Sequence, residues 1–275
     1  MEIPRKAAIA AAFSLALVAC RESPEPGQPA NGVAQPVQPS PLPVAEPPLD
    51  REALLLAAMR AASAYAAGSN DTAVQRGLNG KTFEMRIRFG CPGVEPDADA
   101  PFQSTYDPAE RRLALRAAPD VESDDPSLAG IAGDEVEALE GFWVPRPWLL
   151  TAACPVPVPD NDQPDREGAD ATVTGQGERR LAIAQFLTAT DPRTRRRDHR
   201  PYQYTARLAE GERPSDAGYD LVVSGRLRRL ASGKVVTCTG AAAAGAPTCV
   251  ISMIVDHVSM KRGDTGAVLA EWGAV

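Results

Sequence analysis

Between Thr82 and Phe89 apolar and polar residues alternate without a break, with Phe83, Met85, Ile87 and Phe89 on one side and Glu84, Arg86 and Arg88 on the other. A period of two predicts a strand with one buried face. Ahead of it the pattern is helical. Over residues 51–67 Leu54, Leu55, Met59, Ala62 and Ala66 share a face, Asp50 stands at the cap position, and Gly68 stands where a helix ends. Residues 69–78 add a short second turn of helix before the turn signal Asn79-Gly80. Beyond the strand, residues 103–106 and 112–116 flank Asp107-Pro108-Ala109-Glu110, a hairpin in which Pro108 presets the turn.

The second half of the chain is denser in strand signals. Residues 180–188, 202–208, 219–230, 234–239, 250–260 and 268–272 each carry a short apolar or alternating run, and Ser232-Gly233 marks a tight turn. The fold predicted is α+β, predominantly antiparallel β. It takes the form of a small barrel, with five C-terminal strands compatible with an OB-like arrangement, or of a sandwich, and the N-terminal helix packs on an open side or end. Residues 50–275 make up this β-rich domain, within which 200–275 is a candidate C-terminal subdomain.

Two polar stretches interrupt the pattern. Residues 120–140 are acidic and rich in turn formers, and predict a solvated loop with room for a short helix. Residues 155–177 are acidic, proline-rich and nearly free of large apolar side chains, and predict a long mobile loop. Asp160-Asn161-Asp162 begins like a calcium loop, but Pro164 and Ala171 occupy positions that must ligate, so no metal site follows.

At the N-terminus Arg5 and Lys6 precede an apolar run over 7–18, too short to span a bilayer, which predicts a secretory signal peptide over 1–19. The run ends in Leu17-Val18-Ala19-Cys20, which resembles the lipobox of bacterial lipoproteins. The resemblance implies that Cys20 becomes the first residue of the mature chain, acylated on sulfur and amine. With about 0.8 kcal/mol for each buried methylene, several acyl chains hold a protein on a membrane essentially permanently. Arg21 is not the aspartate that favours inner-membrane retention, so the resemblance implies the outer membrane, facing the periplasm. Residues 20–49 then form a tether: nine prolines and no aromatic residue in 21–49 cannot bury enough surface to order the segment.

Composition narrows the function without naming it. The 275-residue chain has a formal net charge of −7, which argues against nucleic acid as a partner. The four cysteines beyond Cys20 are Cys91, Cys154, Cys238 and Cys249, an even number that in an oxidising envelope predicts two disulfides. Cys238–Cys249 would close the connector between two strands, leaving Cys91–Cys154. They lack the spacing of a zinc site, and the sequence implies no cofactor. Neither His199 nor His257 lies in a nucleophile or metalloprotease motif, which lowers the odds of an enzyme.

Two strings remain as candidate binding sites. One holds Phe142, Trp143, Arg146 and Trp148 around two prolines, fit for an edge or crossing segment whose aromatics seal the core or meet a ligand. The other packs Arg193, Arg195, Arg196, Arg197, His199 and Arg200 into eight residues, a concentrated cation in an acidic protein, suited to carboxylates or phosphates. The expected function is that of a membrane-anchored envelope lipoprotein acting as a non-enzymatic binding module. Its partners would be the membrane through the lipid, and an envelope protein, glycan or anionic lipid through these strings. Two alternatives are an envelope hydrolase with dispersed carboxylates and an inhibitor or immunity lipoprotein using the arginine loop.

Overall fold

The computed structural model describes residues 46–69, 72–93, 98–128, 130–133, 135–155, 180–240 and 247–273. The expected signal peptide over 1–19, Cys20, the expected tether up to residue 45 and all but residue 155 of the loop expected over 155–177 lie outside the described residues.

Helix α1 spans Arg51–Ala66, and the Asp50 carboxylate accepts the N–H of Ala53 at 2.9 Å, as a cap should. Its buried stripe is Arg51, Leu54, Leu55, Ala58 and Ala61, whereas Met59 is 59 % exposed. The expected face was therefore rotated. A run as uniformly apolar as Leu54-Leu55-Leu56-Ala57-Ala58 lets more than one stripe serve, and the sheet beneath selects among them. Helix α2, Thr72–Leu78, brings Gln75 into the core, where it accepts the N–H groups of Val235 and Val236 and donates to the Val236 carbonyl.

Ten strands follow among the described residues: β1 (Thr82–Phe89), β2 (Phe102–Asp107), β3 (Arg112–Ala117), β4 (Val136–Trp143), β5 (Leu181–Thr188), β6 (Tyr202–Arg207), β7 (Tyr219–Leu227), β8 (Val236–Thr239), β9 (Thr248–Arg262) and β10 (Val268–Gly273). A large sheet has the order β1-β7-β9-β5-β4, with β8 and β10 also paired to β9, and a small sheet has the order β2-β3-β6. The fold is thus mixed α+β with two sheets and a short N-terminal helix. Strand β5 runs parallel to β9, and all other pairings are antiparallel.

Strand β9 is the axis of the large sheet. On one side it carries β8 and then β7, on the other β5 and then β10, end to end. The turn at Ser232-Gly233 consequently does not make a hairpin of β7 and β8. Residues 228–235 leave the ladder and return, closed by Arg228 N–H to the Ser252 carbonyl and Ser252 N–H to the Val235 carbonyl.

Neither sheet closes into a barrel among the described residues, which corrects the barrel and OB-like expectation. The outermost strands of the large sheet bond to loops instead of to each other. Leu49 exchanges hydrogen bonds with Thr82 and Glu84 on β1, while Asp120 and Val121 take the Gly141 carbonyl of β4. Backbone groups engaged in this way are not available for closure.

The main core draws on both sheets and α1, with Phe83, Met85 and Ile87 of β1, Leu113 and Leu115 of β3, and Leu221 of β7 all buried. A chain of ring contacts links Tyr219, Phe89, Phe102, Phe142, Tyr202 and Trp272, with centroids 5.1 to 6.1 Å apart. A second cluster on the other face of the large sheet joins Leu139, Trp143, Phe186 and Val250 to Val121, Leu128 and Ile131. The acidic stretch over 120–140 is therefore more than solvated loop: it has a 3-10 turn at Pro126–Leu128, supplies β4, and lays three apolar side chains on the sheet.

Both disulfides form as expected. Cys238–Cys249 joins directly opposed positions of β8 and β9, and Cys91–Cys154 ties the end of β1 to the segment after β4. Loop-closure entropy assigns about 3 kcal/mol to the first and about 4 kcal/mol to the second as upper values.

Candidate functional site

The arginine loop follows β5 and lies against the paired strand β4. At the end of β5 the Asp191 carboxylate accepts the backbone N–H and hydroxyl of Thr188, each at 2.9 Å, and pairs with Arg228 at 3.0 Å. Burial works to raise the Asp191 pKa, but the Thr188 hydrogen bonds and Arg228 outweigh it and hold the carboxyl below its ordinary value. A 3-10 turn at Arg193–Arg195 carries the chain away from the sheet. Asp198 and His199 bring it back with φ of 53° and 56°, a left-handed bend costing about 1–2 kcal/mol per residue.

Glu140 holds that bend. Its carboxylate, 5 % exposed within β4, accepts the N–H of Arg197 at 3.0 Å and that of Asp198 at 2.9 Å. Charge-assisted bonds of this kind are about twice as strong as neutral ones and offset the bend. Two of the arginines serve the same end. Arg196, 22 % exposed, reaches Glu137 at 2.6 Å and the Thr188 carbonyl, and the Arg197 guanidinium lies 4.0 Å from the centroid of the Tyr202 ring. Burial pushes the Tyr202 phenol up to about 12, with Arg197 opposing the shift and Glu140 adding to it.

The structure thus divides the string. Arg196 and Arg197 hold the loop, while Arg193, His199 and Arg200 are exposed and Arg195 is half-buried. Among the described residues no carboxylate pairs with Arg193, Arg195 or Arg200. Glu140 and Tyr202 went unrecognised in the sequence. A glutamate set among the apolar Leu139, Phe142 and Trp143 was the available signal.

The aromatic string divides as well. Phe142 points into the main core and Trp143 into the second cluster, the opposite faces of an edge strand. The chain then turns over 145–149 above Arg51. This buried guanidinium donates to the carbonyls of Arg86, Pro145, Arg146 and Leu149 at 3.0 to 3.2 Å. Burial and then the neighbouring Arg146 lower the Arg51 pKa to about 10, still cationic at neutral pH. Arg146, with φ of 52°, donates to the Arg88 carbonyl, and burial followed by the Arg88 charge lowers its pKa. Trp148 alone of this string is left on the surface, 63 % exposed.

Two shallow clefts are lined by residues of neither string. One, of about 490 Å³, is lined by Ser104, Tyr106, Arg213 and Asp216 among others; the second, of about 480 Å³, crosses the outer face of the small sheet beside Asp107 and Arg112. Among the described residues each is lined by one carboxylate, where glycoside hydrolysis uses two. His257 lies on the polar face of β9, 3.5 Å from Glu271. Among the described residues no group of His, Cys, Asp and Glu could hold a metal ion, and no helix is long and apolar enough to cross a membrane. No family model, curated protein or solved structure matches the chain.

Proposed function

We propose that the protein is a lipid-anchored lipoprotein of the bacterial envelope whose two-layer, sandwich-like β module binds an anionic partner without catalysing a reaction. The observation that carries this reading is the arginine loop: its bend is held by a buried carboxylate, Arg193, His199 and Arg200 are exposed at its surface, and Arg195 is half-buried with no described carboxylate beside it. A preformed cationic loop binds with little ordering cost. Two disulfides suit the oxidising compartment that the Leu17–Cys20 resemblance implies, and the anchor would hold the module on the outer membrane, facing the periplasm.

Two experiments test the two halves. Cys20→Ser is expected to move the protein from the membrane to the soluble fraction, and unchanged partitioning would remove the anchor. Photo-crosslinking in cells from His199 and Trp148 is expected to capture an anionic partner at His199, lost when Arg193, Arg195 and Arg200 are changed to glutamate. Capture that survives those changes would dissociate function from the loop.

A further inference from the structure

Strand edges in this molecule are treated unequally. Four outward groups of β1 are taken: the Thr82 carbonyl and the Glu84 N–H by Leu49, the Arg86 carbonyl by Arg51 and the Arg88 carbonyl by Arg146. On β4, Asp120 and Val121 cover Gly141, and Asp120 accepts the N–H of Trp143. The outer edge of β6 differs. Its register against β3 runs from Arg112↔Arg207 to Ala117↔Tyr202, and Leu208 N–H donates to the Arg111 carbonyl at 2.8 Å. That places the hydrogen-bonded pairs at Tyr202, Tyr204 and Ala206, so the N–H and C=O groups of Gln203, Thr205 and Arg207 point away from the sheet.

No described residue bonds to those outward groups, and all three residues are exposed. Cations stand at both ends of the row: Arg200 two residues before β6 and Arg207 at its last residue. Between them Tyr204 and Ala206 are only half-buried and leave apolar surface on the inner side. An open row of backbone groups invites an added strand, and positive ends select its charge. We infer that the β6 edge receives an extended acidic peptide segment of a partner protein as a fourth strand of the small sheet. Its carboxylates meet Arg200 and Arg207, and the apolar residues between them lie against Tyr204 and Ala206. The inference rests on the binding reading above and specifies its partner.

The probe is a fluorescent octapeptide of alternating glutamate and valine, titrated into the full-length protein in detergent. It is expected to bind, to weaken as salt rises, and to exceed a lysine-valine peptide at least tenfold. N-methylation of the glutamate amides blocks an antiparallel addition and N-methylation of the valine amides a parallel one, so one set loses at least tenfold and the other does not. Thr205→Pro should lose as much, because proline at an outward position removes an exposed N–H and spares the bonds to β3; the methylated peptides give the same answer without altering the protein. Binding that ignores both methylations and Thr205→Pro yet needs Arg193, Arg195 and Arg200 would overturn the added strand and leave the proposed function standing. No binding of the acidic peptide would also overturn it, as would a dimer that Thr205→Pro dissolves, which would give the edge to a second copy of the chain. Failure of the loop substitutions to affect capture in cells would count against the proposed function instead.

Discussion

The outer edge of β1 and the outer edge of β6 both lie among arginines, and the arginines do opposite things. At β1, Arg51 and Arg146 turn inward and spend their donors on main-chain carbonyls, closing the edge. At β6, Arg200 and Arg207 stay in solvent beside backbone groups to which no described residue bonds. The side chain is the same, but a buried guanidinium surrounded by carbonyls is a structural fastener, whereas an exposed one keeps its charge available. Where a strand edge lies thus decides what an arginine beside it can do.

The largest effect should come from breaking the closed edge. Arg51→Met leaves four carbonyls without their donor, at about 1–3 kcal/mol for each that water cannot reach, so a loss of about 3 kcal/mol is expected in urea unfolding. Arg51→Lys should recover only part of it, because one ammonium cannot span four acceptors. Full stability in Arg51→Met would show that the cap is dispensable.

Next comes the support beneath the displayed loop. Glu140→Gln removes the charge that holds the Arg197 and Asp198 N–H groups and is expected to cost about 2 kcal/mol. Hydrogen exchange at those two amides should rise at least tenfold while exchange in β1 stays unchanged. Equal protection in both proteins would relieve Glu140 of its role.

Tyr202 gives a third effect, confined to alkaline solution. Its folded pKa of about 12 lies above the ordinary 10, so the folded state keeps the proton that the unfolded chain releases. The stability it contributes is complete below pH 10 and is lost as pH rises toward 12, on the order of 2 kcal/mol in all. Tyr202→Phe should flatten that part of the stability profile, and an unchanged slope would assign it to other groups.

The smallest effect on stability should belong to the open edge. Changing Arg193, Arg195 and Arg200 to glutamate should shift unfolding by no more than about 0.5 kcal/mol, since these side chains hold nothing together. The same change should abolish salt-sensitive binding. A large destabilisation would mean that the displayed arginines are fasteners after all.

Much of the local structure was legible. Asp50 and Gly68 bounded α1, the alternation over Thr82–Phe89 matched β1 residue for residue, and Asp107 makes the turn of the β2–β3 hairpin by accepting the N–H groups of Ala109 and Glu110. Cys238 and Cys249 paired as their places at the ends of one connector implied. Other readings failed for physical reasons. Strand β5 is buried on both faces, so its apolar run carried no sign of its parallel partner, and the arginine string contained nothing to tell Arg196 and Arg197 from Arg193 and Arg200.

What the sequence determined by itself was therefore whatever is decided within a few residues: caps, turns, the period of each element and the candidate chemistry. Only the tertiary structure decided which strands lie side by side, which stripe of α1 is buried, which edges are closed and which arginines remain free to meet a partner. Those outcomes depend on groups distant in the chain, such as Arg51 beneath Pro145 or Glu140 beneath Arg197, whose meeting is set by the burial of a shared core and leaves no local periodicity to read.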